Sequence, residues 1–173
     1  LELRTKSIQV RSLLAQTAHE HFVVAMSLAP ACVITRFEHG TPGLEERLGA
    51  LRRLQLHGWP IGLRFDPLLV FAGSERVYRE FFDQVFATLD AGAIHSITLG
   101  GMRLPREFAK RMVRLYPDEA LFAVAFDDTD GVRTATGSSS LLRTALAAVH
   151  RHAPATPVFL QHALDDTGTP ATR

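Results

Sequence analysis

Phe22-Val23-Val24-Ala25-Met26-Ser27-Leu28 is the stretch on which the fold turns. Every position except Ser27 is apolar, and two are valine. A strand with one wet face alternates apolar and polar residues. Unbroken hydrophobicity instead marks a strand covered on both faces, as in parallel sheets flanked by helices. Leu1–Thr5, Pro60–Phe65, Ile94–Leu99 and Pro157–Gln161 read as further strands of the same kind. Helices are predicted between them. In Pro42–His57, Leu44, Leu48, Leu51 and Leu54 form an apolar stripe behind Glu45 and Glu46, and Gly58 stops the run. Glu75–Leu89 carries Val77, Tyr78, Phe81, Phe82, Val85, Phe86 and Leu89 on one side. Pro105–Tyr116 and Ser139–His150 complete the set, and Leu121–Phe126 with Val132–Ala135 are expected as a hairpin around Asp127-Asp128-Thr129-Asp130-Gly131.

The order β–α–β–α–β–α–(β–β)–α–β predicts an α/β chain with a parallel sheet and crossover helices. Its main strands are too few to close a (β/α)₈ barrel, so they form half of one or an open curved sheet. In either arrangement chemistry belongs at the C-terminal ends of the strands. Residues 1–164 are expected as one unit, with a polar, frayed tail over 165–173.

Composition narrows the functional classes. The chain has 173 residues, 46% of them hydrophobic, with 19 basic and 18 acidic side chains and a net charge of +1. That balance gives no overall attraction to nucleic acid, although Arg103, Arg106, Lys110, Arg111 and Arg114 form a local basic cluster on a predicted helix, either a solvated face or a phosphate-contacting one. The single cysteine excludes an internal disulfide framework and fits a reducing cytoplasm. No apolar run approaches the ~18 residues that would suggest a membrane span, and no signal-peptide pattern opens the chain. The chain lacks an initiator Met and opens directly on a strand, so Leu1 is expected to be a cut or a gene-model boundary rather than a natural start. Phosphate-loop, dinucleotide-fingerprint and nucleophile-elbow motifs do not occur.

Several longer matches then fall in one order. Leu3-Arg4-Thr5-Lys6-Ser7, Ser27, Val33-Ile34-Thr35-Arg36-Phe37-Glu38-His39-Gly40-Thr41-Pro42, Leu44-Glu45-Glu46-Arg47-Leu48, Gly58-Trp59-Pro60-Ile61-Gly62 and Phe65-Asp66-Pro67-Leu68-Leu69 follow one another at family spacing. On these segments the chain resembles the C-terminal part of the spore photoproduct lyase-like radical S-adenosylmethionine (SAM) proteins. Beyond Tyr78 the likeness rests on element order and on Ile97-Thr98-Leu99-Gly100 with Arg103. The resemblance implies a partial TIM-type barrel that binds SAM over a [4Fe–4S] cluster. It also implies a parent enzyme that cleaves SAM to a 5′-deoxyadenosyl radical, with DNA lesion repair as the reaction of the family's name. By position, it implies that Lys6 approaches the SAM carboxylate, Ser27 the ribose region, and Asp66 the adenosine site.

The departures are as informative. The family's CxxxCxxC cluster loop and hydrogen-donating cysteine lie upstream of the matched segment, and Cys32 matches neither. A cluster needs several thiolates, so this chain alone is expected to be inactive and to require a missing N-terminal half-barrel as partner. Isolated, it is expected to self-associate through an exposed strand edge. The alternatives are a non-catalytic remnant or partner-binding domain, and an unrelated TIM-like enzyme. Around the candidate site, Glu38 and His39 either enter a helix or face substrate. Thr41 is expected to cap that helix with Pro42 at its first position, Arg47 to make surface pairs, and Cys32 to be an inert, partly buried thiol. His19 and His21 lack an evident third metal ligand, the Asp127–Gly131 run lacks the closing acid of a calcium loop, and no metal site is expected.

Overall fold

The computed structural model describes residues 1–161. Five strands, β1 (Glu2–Thr5), β2 (Val23–Ser27), β3 (Ile61–Leu68), β4 (Ile94–Gly101) and β8 (Val158–Leu160), form one sheet in the order β1-β2-β3-β4-β8. Every pairing in it is parallel. Helices α3 (Leu44–Leu56), α4 (Ser74–Thr88) and α6 (Ser138–His152) make the crossovers, with shorter α1 (Arg11–Leu14) and α2 (Ala31–Phe37) before them. This is a mixed α/β fold with a parallel sheet and crossover helices, as the alternation of elements predicts, and it fits the partial TIM-type barrel that the resemblance implies.

Register fixes the two faces. Val24 pairs with Ile61, Met26 with Leu63, Leu63 with Ile97, and Phe65 with Leu99. Alternation sends these side chains to one face, beneath the helices. There Phe65 meets Phe82 edge-on with ring centroids 5.0 Å apart, and Tyr78, Phe81 and Val85 complete the contact from α4. Leu44, Leu48, Leu51 and Leu54 are buried as their spacing predicts. The opposite, inner face carries Glu2, Arg4, Ala25, Ser27, Gly62, Arg64, Asp66, Ser96 and Thr98. It is polar, and its charges are paired. Arg64, which is buried, donates to both Glu2 oxygens at 3.1 and 2.6 Å and to the Ser96 hydroxyl at 3.1 Å. Gly62 makes room for it, because a Cβ there would lie 2.8 Å from the Arg64 guanidinium.

Two sequence expectations change. Leu121–Phe126 is not a strand: Glu119 accepts from the Leu121 amide and caps a 3₁₀ turn over Ala120–Phe122. Only Phe126–Thr129 (β6) pairs with Val132–Ala135 (β7), turning at Asp130-Gly131, where both residues have positive φ. A short apolar run reads the same whether it packs from a turn or a strand. β7 also pairs with β5 (Arg103–Pro105), giving a three-stranded antiparallel sheet against which α5 (Arg106–Leu115) rests. The second change is at α3, which starts at Leu44 with Gly43 as its N-cap and not at Thr41-Pro42. The Thr41 hydroxyl is engaged elsewhere, donating to the Glu38 carbonyl at 2.7 Å. The tail expected over 165–173 lies outside the described residues. Among those described, no helix is long and apolar enough to cross a membrane.

Candidate functional site

The C-terminal ends of the parallel strands open into a cavity of about 420 Å³, within the range of small-molecule sites. Lys6 reaches it from the residue after β1, Ser27 from the end of β2, and Asp66 from β3. The three residues singled out from the sequence therefore line one cavity. Gly101, Arg103 and Gln161 line it from the ends of β4, β5 and β8, and Leu28, Val33, Phe37, Leu69, Met102, Leu104 and Leu121 supply apolar walls.

Its charges are held in two groups. In the first, Arg4 donates to Asp66 Oδ1 at 2.7 Å and approaches the Ser27 hydroxyl at 3.4 Å. The other oxygen, Asp66 Oδ2, is buried with no hydrogen-bond partner. A carboxylate oxygen removed from water without a donor is costly, and Asp66 is among the residues lining a cavity that a ligand could enter. The Asp66–Pro67 peptide bond is cis.

In the second group, Lys6 Nζ lies 3.0 Å from Glu38 Oε1, and Arg47 donates to Glu38 Oε2 at 2.6 Å. The Arg47 side chain is 0% exposed. It also donates to the Thr41 hydroxyl at 2.8 Å, the Pro42 carbonyl at 2.9 Å and the Ser27 carbonyl at 3.0 Å. One guanidinium thus fastens the 38–43 loop to the end of β2. Burial works against the charge on Glu38, but the hydrogen bonds from Arg47 and Lys6 outweigh it and hold the carboxyl below its ordinary range.

Arg47 is therefore no surface residue. It falls on the same helical stripe as Leu44, Leu51 and Leu54, a polar residue at an apolar position, and that spacing was the available signal. Arg4 is a further site residue, alternating with Glu2 along one face of β1 and in step with Lys6 just beyond its end. Glu38 faces the cavity, whereas His39 is not among its lining residues. Cys32 is exposed, not partly buried, because α2 turns Val33 and Ile34 inward instead. It lines a smaller cavity of about 240 Å³ with Arg36, Phe37 and Phe71.

Of the basic cluster, Arg106, Lys110, Arg111 and Arg114 share α5 as expected, and only Arg103 lies elsewhere. Arg103 belongs to β5 and the cavity, Arg106 pairs with Asp128 at 3.3 Å, and Lys110 with Glu107 at 2.7 Å. Asp127 and Asp128 are strand residues of β6, and Asp128 also lies 3.9 Å from Arg133. Among the described residues, no group of three or more His, Cys, Asp or Glu side chains is arranged to hold a metal ion.

A half-barrel of parallel strands with a polar cavity at their C-terminal ends is the ligand-binding end of a TIM-type architecture. The family model described as spore photoproduct lyase matches residues 1–122, and the chain belongs to that family. The spore photoproduct lyase of Bacillus subtilis (strain 168) is 35% identical over 66 residues, which make up 38% of this chain and 19% of that protein. A solved spore photoproduct lyase point mutant superposes with a TM-score of 0.79 at 21% identity, covering 93% of this chain and 51% of the other. A double mutant of spore photoproduct lyase, solved with bound AdoMet and dinucleoside spore photoproduct, gives a TM-score of 0.76 at 22% identity over 91% and 50% of the two chains. The chain thus spans about half the length of these solved relatives.

Proposed function

We propose that this chain is the cofactor-binding part of a radical SAM protein of the spore photoproduct lyase family, and that SAM occupies the cavity at the strand ends. The observation that carries the reading is Asp66 Oδ2, a buried acceptor without a donor, on a residue that lines a cavity of about 420 Å³ together with Lys6. The donor and acceptor set suits SAM end to end. Ribose hydroxyls donate hydrogen bonds, and Asp66 Oδ2 can accept one while Arg4 retains Oδ1. The Ser27 hydroxyl can reach the same sugar, and Lys6 can offer its free donors to the methionine carboxylate. The apolar walls would shield these contacts from water.

When bound against a reduced [4Fe–4S] cluster, SAM supplies radical chemistry. The residues of this chain do not fit the cluster itself: it has one cysteine, Cys32, and that thiol is exposed beside a separate, smaller cavity. We therefore assign cluster ligation to a partner half-barrel along the outer edge of β1. Among the described residues that edge is unpaired, Leu1 and Leu3 are exposed there, and the relatives are about twice as long. Repair of a DNA lesion would be an activity of the completed protein. Separated from such a partner, the chain should self-associate through this edge; a monomer by sedimentation at high concentration would count against that.

The test is a titration of the ¹⁵N-labelled chain with SAM. Amide shifts confined to Lys6, Ser27, Asp66, Gly101 and their neighbours are expected, with weaker binding in Asp66→Ala. No shift at millimolar SAM would overturn the reading and favour the alternative that its single cysteine permits, a partner-binding domain without a cofactor.

A further inference from the structure

We propose that the smaller cavity, of about 240 Å³ beside α2, is a second ligand site, and that it takes a small organic monoanion: a carboxylate head on an apolar body. The site is separate from the one assigned to SAM and stands without it. Its walls are apolar, with Val33 and Phe37 from α2, Val70 and Phe71 from the chain leaving β3, and Leu121 from the 3₁₀ turn. Two polar side chains reach it, the Cys32 thiol and the Arg36 guanidinium, and no acidic one does. They are four residues apart, so they share one face of α2.

Charge selects the ligand. Around the strand ends the cations are answered: Arg4 by Asp66, Lys6 and Arg47 by Glu38, and Arg64 by Glu2. Arg36 differs from them. Among the described residues it joins no ion pair, and its guanidinium lies over the Phe37 ring, 5.7 Å from the centroid. Stacking occupies the face of the guanidinium and leaves its N–H edge, which matches a carboxylate. One cation against apolar walls suits a single negative charge, whereas a phosphate group calls for more donors. The volume is below the roughly 300–1,000 Å³ of drug-sized sites, so the apolar body is short. Val33, Phe37, Leu69 and Leu121 line both cavities, which therefore share a wall.

The experiment titrates the ¹⁵N-labelled chain with three probes: hexanoate, 1-hexanol, which keeps the body without the charge, and acetate, which keeps the charge without the body. Hexanoate should shift the amides of Val33, Phe37, Val70 and Leu121. Hexanol should bind there about fivefold more weakly, the range of an ion pair at a solvent-facing rim, and acetate should not saturate. Arg36→Gln should lower hexanoate to the affinity of hexanol, and Arg36→Lys should restore part of the difference. Hexanoate should also slow the reaction of Cys32 with N-ethylmaleimide, an uncharged reagent that Arg36 does not steer. Equal affinity for hexanoate and hexanol, or a preference that survives Arg36→Gln, would overturn the proposal. So would an unchanged Cys32 rate, shifts gathered instead at Lys6, Ser27 and Asp66, or no saturable shift at millimolar hexanoate. Arg36 is exposed, so Arg36→Gln is expected to keep the fold; if it does not, the three probes and the Cys32 rate on the wild-type chain decide alone.

Discussion

Replacing Arg47 with methionine should unfold the chain more readily than any surface change. The side chain is 0% exposed, and the substitution preserves much of its length while deleting the guanidinium. Four acceptors lose their donor: Glu38 Oε2 at 2.6 Å, Thr41 Oγ1 at 2.8 Å, the Pro42 carbonyl at 2.9 Å and the Ser27 carbonyl at 3.0 Å. Removing one member of a buried ion pair costs about 3–5 kcal/mol. Each acceptor left dry adds about 1–3 kcal/mol, offset where the loosened loop admits water. A loss of about 3–5 kcal/mol at neutral pH is therefore expected, against a total stability of about 5–15 kcal/mol for a domain. Urea unfolding followed through Trp59, the only tryptophan in the chain and 6% exposed, would report it. The difference should also depend on pH. Glu38 is held below its ordinary pKa, so its ionic contribution is present above the unfolded-state value and disappears as pH falls through the lower folded-state value. The wild-type advantage should thus shrink below about pH 4. A difference under about 1 kcal/mol at neutral pH would refute the reasoning, since that is the range of an exposed pair.

Three further outcomes follow from single contacts. Gly62→Ala should displace the Arg64 guanidinium, because the new Cβ would lie 2.8 Å from it; a loss of about 1–3 kcal/mol by thermal unfolding is expected, and an unchanged Tm would contradict the packing described. Tyr78→Phe removes the acceptor for the buried Leu69 amide, at 2.8 Å. It should destabilise by about 1–3 kcal/mol and speed hydrogen exchange at Leu69 ahead of the amides of β3. Cys32 is exposed, so the native protein should react with a thiol reagent at one equivalent without denaturant. Protection until unfolding would show that α2 is turned the other way.

Much of this architecture was readable because it rests on local periodicity. The unbroken apolar run of β2 implied a strand covered on both faces, and Val23, Val24, Ala25 and Met26 are all buried, whichever face they occupy. Lys6, Ser27 and Asp66 were legible as a group through the family resemblance, and the predicted strands place each at or near a C-terminal end, where parallel strands bring such residues together. What escaped was non-local. The pairing of β5 with β7 joins segments on either side of α5, with no period linking them in sequence. Arg47 was read as exposed because charged side chains usually are, even though its position on the leucine stripe of α3 argued otherwise. The bond from Arg4 to Asp66 depends on the order of β1, β2 and β3 across the sheet, which alternation alone does not give.

The inner face of the sheet explains how a ligand site can be built from so many charges without disrupting the fold. Glu2 is held below its ordinary carboxylate range chiefly by the hydrogen bond from Arg64, with burial opposing and the charges of Arg64, Arg4 and His95 assisting. Deeper on the face, then, the charges answer one another, and Arg64 gives its remaining donors to the Ser96 hydroxyl and to the carbonyls of Leu63 and Ser96. At the strand ends the pairing is incomplete. Arg4 satisfies one oxygen of Asp66 and leaves the other bare, while Lys6 meets Glu38 with donors to spare. A self-satisfied floor beneath an unsatisfied rim is the arrangement expected where rigidity is needed below a site and hydrogen-bonding capacity within it. The site is therefore defined less by which charged residues are present than by which of them the fold has left partly unanswered.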